Sequence, residues 1–327
     1  MQVVETFASL WPVLAEVLPR VASIAALIAV GVFLANVAVG FGLVQYVAAV
    51  SRYLTRPANL PDEVGTAIFT TAASTTAGYG MLAEFRESGM LDDRATLVAV
   101  TMNTFFGFVQ HIFTFYVPVL VPILGLEVGL LYVGTRAAVS LAITAVGVLA
   151  GALLLSERNV DRTAAAQTDG GPDAEDDDSA RDVVAAAARK TWPKLKRIVP
   201  RLVVVYLVVT LVVRTTDLQA LTAAADPLAT FVGLPGASIP VIAVFAFDTT
   251  AGAATIAPMV GGTFTPRTAV ATMLLGGIVS FAVSTFKRSI PFQYGIWGPR
   301  FGSKVVAVNT ALKVVFIAVA LVFLLAV

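Results

Sequence analysis

Two short segments of this 327-residue chain carry the side chains best suited to hold a solute. One reads FTTAASTTAGYG over 69–80, the other FAFDTTAG over 245–252. Thr75, Thr76 and Gly78 of the first correspond to Thr249, Thr250 and Gly252 of the second. Threonine hydroxyls donate or accept, and the ends of interrupted helices leave N–H or C=O groups that can hold a substrate or an ion. Small residues in such a run also permit close helix packing. Two copies in register favour the binding role.

Asp248 stands where the first segment has Ser74. A carboxylate in so apolar a setting costs roughly 2.5–3.5 kcal/mol on insertion scales, so it must face a partner or a wet cavity. It is the candidate ligand for a coupling cation such as Na⁺, a proton carrier, or an acceptor for substrate. It is also a good N-cap for a following half-helix. A third segment, TMNTFFGFVQHIFTFYVP over 101–118, adds Asn103 and Gln110, seven residues apart and hence on one helix face. Buried amides so placed contact a substrate or join neighbouring helices. His111, alone, reads as a satisfied buried histidine.

The elements that must position these residues are membrane helices. The chain is 57% hydrophobic and 13% charged, with mean hydropathy +0.85, against about 45–50% and 25% in soluble domains. Net charge +1 gives no footing for nucleic acid. Having no cysteine and one histidine, the chain lacks the means for disulfides, thiolate catalysis or a His-rich metal cluster. P-loop, G-x-S-x-G, H-E-x-x-H and dinucleotide motifs are absent, so neither an enzyme nor a bound cofactor is expected. Arginine outnumbers lysine 16 to 6 and the polar stretch is acidic, which fits a salt-adapted, haloarchaeal type. Residues 1–19 lack the basic n-region of a signal peptide until Arg20, and Ala22–Val47 reads as a span.

About six apolar runs approach the ~20 residues of a bilayer span: 20–48, 94–124, 129–155, 199–214, 267–286 and 303–327. Two more, 61–82 and 235–260, are interrupted by small and hydroxylated residues. The organisation expected is a first repeat over 1–156, an acidic cytoplasmic linker over 157–198 with a short helix from Ser179 to Lys190, and a second repeat over 199–327. The repeat is legible in the matches. Leu60-Pro61 pairs with Leu234-Pro235 at an offset of 174, as do the T-T-A-G runs. At 173 follow Arg94 with Arg267, Phe108 with Phe281, Pro118 with Pro291, Gly125 with Gly298 and Gly129 with Gly302.

If the interrupted segments cross the bilayer the halves are parallel; if they re-enter, the halves are inverted. With the linker inside, the inverted arrangement also brings Arg52, Arg56, Lys287, Arg288, Arg300 and Lys304 inside, as the positive-inside rule requires. The fold class expected is therefore an all-α polytopic membrane protein: two inverted repeats, about six spans and two re-entrant or broken helical hairpins, in the cell membrane. Lys287, Arg288, Arg300 and Lys304 form either a basic vestibule or interfacial anchors beside Tyr294 and Trp297.

This duplicated unit resembles the Gate, or nucleoside-recognition, domain shared by concentrative nucleoside transporters, ferrous-iron permeases and spore-maturation membrane proteins. The resemblance rests on FTTAASTTAGYG and FAFDTTAGAATIAP as hairpin tips and on the spans after Arg94 and Arg267. It implies an inverted repeat whose two hairpins meet at a solute site lined by Ser74, Thr75, Thr76, Asp248, Thr249 and Thr250. The nucleoside transporters' Gln-Ser/Thr-Glu run is replaced here by Ser-Thr-Thr, and the cysteines and GTPase domain of the iron permeases are absent. The expected function is a Na⁺- or H⁺-coupled secondary transporter for a small polar solute, in contact with lipid and compatible with a homo-oligomer. The alternatives are a non-transporting Gate-like scaffold and a lipid-handling protein.

Overall fold

A computed structural model describes residues 2–40, 53–161, 180–215, 229, 232–284 and 289–326. The described residues are helical apart from turns and two isolated bridges, with no named strand among them. Four helical stretches are long and apolar enough to cross a membrane: Trp11–Val30, Asp93–Leu124, Leu126–Leu154 and Phe292–Ala326. Large apolar side chains on them stay exposed, including Leu149 and Leu153 on the third and Val322 and Phe323 on the fourth. An apolar surface of that extent belongs against lipid or a partner rather than water. Of the other runs read from the sequence, 267–286 falls largely in a shorter apolar helix and 199–214 in the second half of a helix that begins far upstream.

The chain opens with α1 (Gln2–Gly40). Then Asn59, at φ 56, turns the chain into Leu60-Pro61 and a broken helical pair; asparagine is among the few non-glycine residues that enter this left-handed region readily. The pair is α2 (Asp62–Ala73) and α3 (Thr75–Glu87), separated by Ser74 alone. At 12 and 13 residues they extend about 18 and 20 Å, short of the ~30 Å hydrocarbon core. Their arms close tightly at Gly78, where an added Cβ would lie 2.6 Å from the Ala67 carbonyl oxygen.

The second stretch holds α4 (Asp93–Met102), α5 (Thr104–His111), a π-helical turn over Ile112–Leu120 and α6 (Val121–Leu124). Pro118, inside the π segment, has no N–H to return to the preceding turn, and such bulges form where the regular ladder is interrupted. Gly125, at φ 81, reverses the chain into α7 (Leu126–Leu154). There Gly147 lies against Met102 and Gly151 against Ala58, with Cβ positions 2.7 and 2.6 Å from the nearest atoms. Larger residues would push α7 off its neighbours.

Residues 155–161 hold both ends of the first hairpin. Asn59 Nδ2 donates to the Leu155 carbonyl at 3.2 Å, and the Asp92 and Asp161 amides donate to the carbonyls of Asn159 and Met90 at 3.1 and 2.9 Å. Arg86 Nη2 donates to Asp93 Oδ1 at 2.6 Å and Lys304 Nζ to Asp93 Oδ2 at 3.2 Å, so the helix that carries Lys304 joins the same end. The hairpin thus enters and leaves on one side of the bundle.

The helix expected at Ser179–Lys190 is the start of α8 (Ala180–Thr215), 36 residues that continue through Pro193 and Pro200 and pack along α1. The second broken pair is α9 (Ser238–Phe247) and α10 (Thr249–Ile256), separated by Asp248. Then come α11 (Pro266–Ser284) and α12 (Ile290–Ala326), the latter kinked at Gly298, φ 70. Two buried clusters result. The smaller gathers α2, α3, α4 and the start of α12 around Leu82, Met102, Phe106 and Phe301; the larger gathers α1, α6, α7, α9, α10 and α11 around Tyr132, Phe245 and Leu274.

Candidate functional site

The two breaks share one backbone. Ser74 has φ −145, ψ 107 and Asp248 has φ −147, ψ 113. Each caps the helix after it: Ser74 Oγ accepts from the Ala77 amide at 3.3 Å, Asp248 Oδ1 from the Ala251 amide at 2.9 Å. The turns ahead of them also coincide, since Leu60 and Leu234 donate to the Thr55 and Ala229 carbonyls at 3.1 and 2.9 Å. Gly125 and Gly298 both take positive φ.

A cavity of about 300 Å³ lies beside the first break. Thr75 and Tyr79 of α3 form part of its wall, with Asn103, Thr104, Gly107 and His111 along α4 and α5. From α7 come Arg136 and Ser140, and from α12 Gln293, Asn309 and Lys313. Thr75 Oγ1 donates to Gln110 Oε1 at 2.7 Å, which ties the hairpin tip to α5. Gln110 therefore joins helices, while Asn103 does something else. Its side chain is 1% exposed, lines the cavity, and neither its oxygen nor its nitrogen bonds to a protein group. His111 Nδ1 lies 2.8 Å from the Gly107 carbonyl, an acceptor only, so Nδ1 carries the hydrogen.

Of the residues singled out in the sequence, Thr75, Asn103 and Gln110 are brought together here. Ser74 serves as the cap and Gly78 as the point of closure, and Thr76 is exposed. Asp248, Thr249, Thr250 and Gly252 do not line this cavity. The first three are half-buried at the second break; Gly252 is buried, with an added Cβ 2.6 Å from Phe245 Cα. Among the described residues no three His, Asp or Glu side chains converge as a metal cluster. Lys287 and Arg288 lie outside the described residues.

Arg136 and Lys313 are the residues that motif reading passed over. Arg136 Nη2 donates to the Tyr116 hydroxyl at 3.1 Å, and Lys313 Nζ sits 4.3 Å from the centre of the Phe281 ring. A cation at the centre of a span costs roughly 2.5–3.5 kcal/mol on insertion scales and marks a functional position by default. That signal was present in GTRAAVS and NTALKVV. Four pairs of wall residues stand 173 positions apart in the sequence: Phe108 and Phe281, Tyr116 and Ser289, Arg136 and Asn309, and Ser140 and Lys313.

Fold and cavity together define a helical protein with several spans' worth of apolar helix and a polar chamber between them. No family model matches the chain, and no solved structure does. It is similar to Uncharacterized protein MJ0880 of Methanocaldococcus jannaschii, 23% identical over 91% of this chain and 95% of that protein. Uncharacterized protein MJ0871 of the same archaeon is 24% identical over 73% of this chain and 72% of its own length.

Proposed function

We propose that the chain is a multi-pass secondary transporter of a small polar solute, driven by Na⁺ or H⁺, whose solute site is the cavity at Thr75, Asn103 and Arg136. The observation that carries this reading is the pairing of the cavity walls. Four pairs at one offset support a chamber lying where two copies of a unit would meet, and transporters built from repeats bind at such an interface. The matched breaks at Ser74 and Asp248 support the duplication. The return of the first hairpin to its own side supports inverted halves with six spans. The Gate-domain resemblance points the same way.

Asp248 is the candidate coupling-cation ligand on the second hairpin. Its capping bond to Ala251 also favours a second reading, a scaffold in which the tip serves packing alone. Uptake decides between them. Proteoliposomes holding the full chain should accumulate a solute under a Na⁺ or proton gradient and lose accumulation when the gradient is collapsed. Failure to move any of a panel of neutral and charged solutes would leave the scaffold. For the topology, a cysteine replacing Ser303 should label only from inside and one replacing Gln2 only from outside; labelling of both from one side would exclude inversion.

A further inference from the structure

We propose that the cavity binds a small oxyanion (a carboxylate, phosphate or sulfate) between the guanidinium of Arg136 and the ammonium of Lys313. The inference rests on the cavity being the solute site and adds the charge of what it takes.

Depth is the first reason. Arg136 is ten residues beyond Leu126, the start of α7, and Lys313 thirteen before Ala326, the end of α12. Those separations correspond to roughly 15 and 20 Å along the helices, too far for either side chain to reach the helix end. Both are half-buried and both line the cavity. They must be satisfied there.

The second reason is what surrounds them. Among the described residues lining the cavity there is no aspartate or glutamate. Arg136 has a neutral phenol as its acceptor and Lys313 an aromatic ring, so neither contact cancels a unit charge. Both cations line one cavity of about 300 Å³, and like charges sharing so small a space repel one another. An anion between them converts that repulsion into two charge-assisted contacts, and the planar guanidinium fork matches a carboxylate or phosphate edge. A neutral solute would leave both charges uncompensated. A cation would add a third.

The remaining walls supply donors. Asn103 offers an amide NH₂ with no protein partner, and Asn309, whose Oδ1 accepts from Thr104 Oγ1 at 3.4 Å, adds a second amide to the lining. The volume, about 300 Å³, equals roughly ten waters at ~30 Å³ each, room for one small anion with part of its hydration. The two cations occupy Asn309-related and Ser140-related positions of the two halves, so each half contributes one charge.

The test uses purified full-length protein in detergent, titrated with phosphate, sulfate and succinate, with uridine and glycerol as neutral probes and chloride to match ionic strength. Sulfate and phosphate stabilise many proteins by exclusion from their surface. The signal is therefore the difference between the wild type and Arg136→Gln/Lys313→Gln. One of the three anions should raise the wild-type thermal midpoint by on the order of 5 °C at a hundred times its Kd. Each single variant should weaken that Kd about ten- to hundredfold, the cost of a lost charged hydrogen bond, and Lys313→Arg should retain more of it than Lys313→Met. If the double variant fails to fold, the Arg and Met replacements at 313 carry the comparison. Equal shifts in wild type and variants, no specific shift with any of the three, or a shift by uridine that survives loss of both charges would overturn the oxyanion and leave a neutral-solute transporter standing. An anion that binds with this variant dependence yet never enters proteoliposomes keeps the site and removes the transport reading.

Discussion

The two hairpins are built alike and surrounded differently. Ser74 and Asp248 share dihedral angles within a few degrees, each caps a following T-T-A-G helix, and each hairpin closes on the glycine of that run. The first tip faces the polar cavity and bonds Gln110; its ends are held at residues 155–161. The second lies in the larger apolar cluster, where Phe245, Ala253 and Ile256 are buried and the hairpin packs on α6, α8 and α11. Backbone shape at a tip is thus a local property, since a capping side chain, two threonines and a glycine produce it twice. What the tip can touch is decided by the helices packed around it. The tip carrying a carboxylate is the one that does not line the chamber, whose charges come from α7 and α12.

The closure glycines offer the largest test of that likeness. Gly78→Val and Gly252→Val should each destabilise by about 3 kcal/mol or more, because the new carbon meets backbone at 2.6 Å that cannot step aside. Gly80→Ala, where nothing lies within 4 Å, should be neutral or stabilising by up to about 1 kcal/mol. Thermal midpoints of the three in one detergent are the measurement. A Gly252 variant much milder than its Gly78 counterpart would mean that the hairpins close differently.

The caps separate shape from charge. Ser74→Ala and Asp248→Ala should each cost about 0.5–2 kcal/mol, and Asp248→Asn almost nothing, since asparagine caps as well as aspartate. If Asp248 also holds the coupling cation, the asparagine variant folds normally and loses gradient-driven uptake. Full coupled uptake in that variant would reduce Asp248 to a cap. The threonine contact should be worth somewhat less than the caps. Thr75→Val should cost about 0.5–1.5 kcal/mol through its bond to Gln110, and a double-mutant cycle with Gln110→Ala should show coupling that Thr249→Val with the same partner lacks.

Much of the architecture was legible because it is written within a few residues. Composition and run length call for membrane helices. Ser74 and Asp248 before T-T-A-G announce a helix end followed by a capped start, and Asn59 and Gly233 before Leu-Pro announce the turns that lead in. One local reading was too short, because an alanine run broken by Pro193 and Pro200 looks like an ending yet continues as α8. Arg136 and Lys313 carried a legible warning as lone cations in apolar runs.

Their meeting was not legible. A helix that is apolar on every side has no stripe to announce which face turns inward, so neither α7 nor α12 reveals by itself that it contributes to a chamber. Sequence alone determined the composition, the helix breaks and their caps, because propensity and capping act over one or two turns. The tertiary structure alone decided that Asn103, Arg136 and Lys313 face a common cavity and that residues 155–161 gather both ends of the first hairpin. Those outcomes depend on side-chain volumes at contacts such as Gly147 on Met102 and Gly151 on Ala58, between residues tens of positions apart.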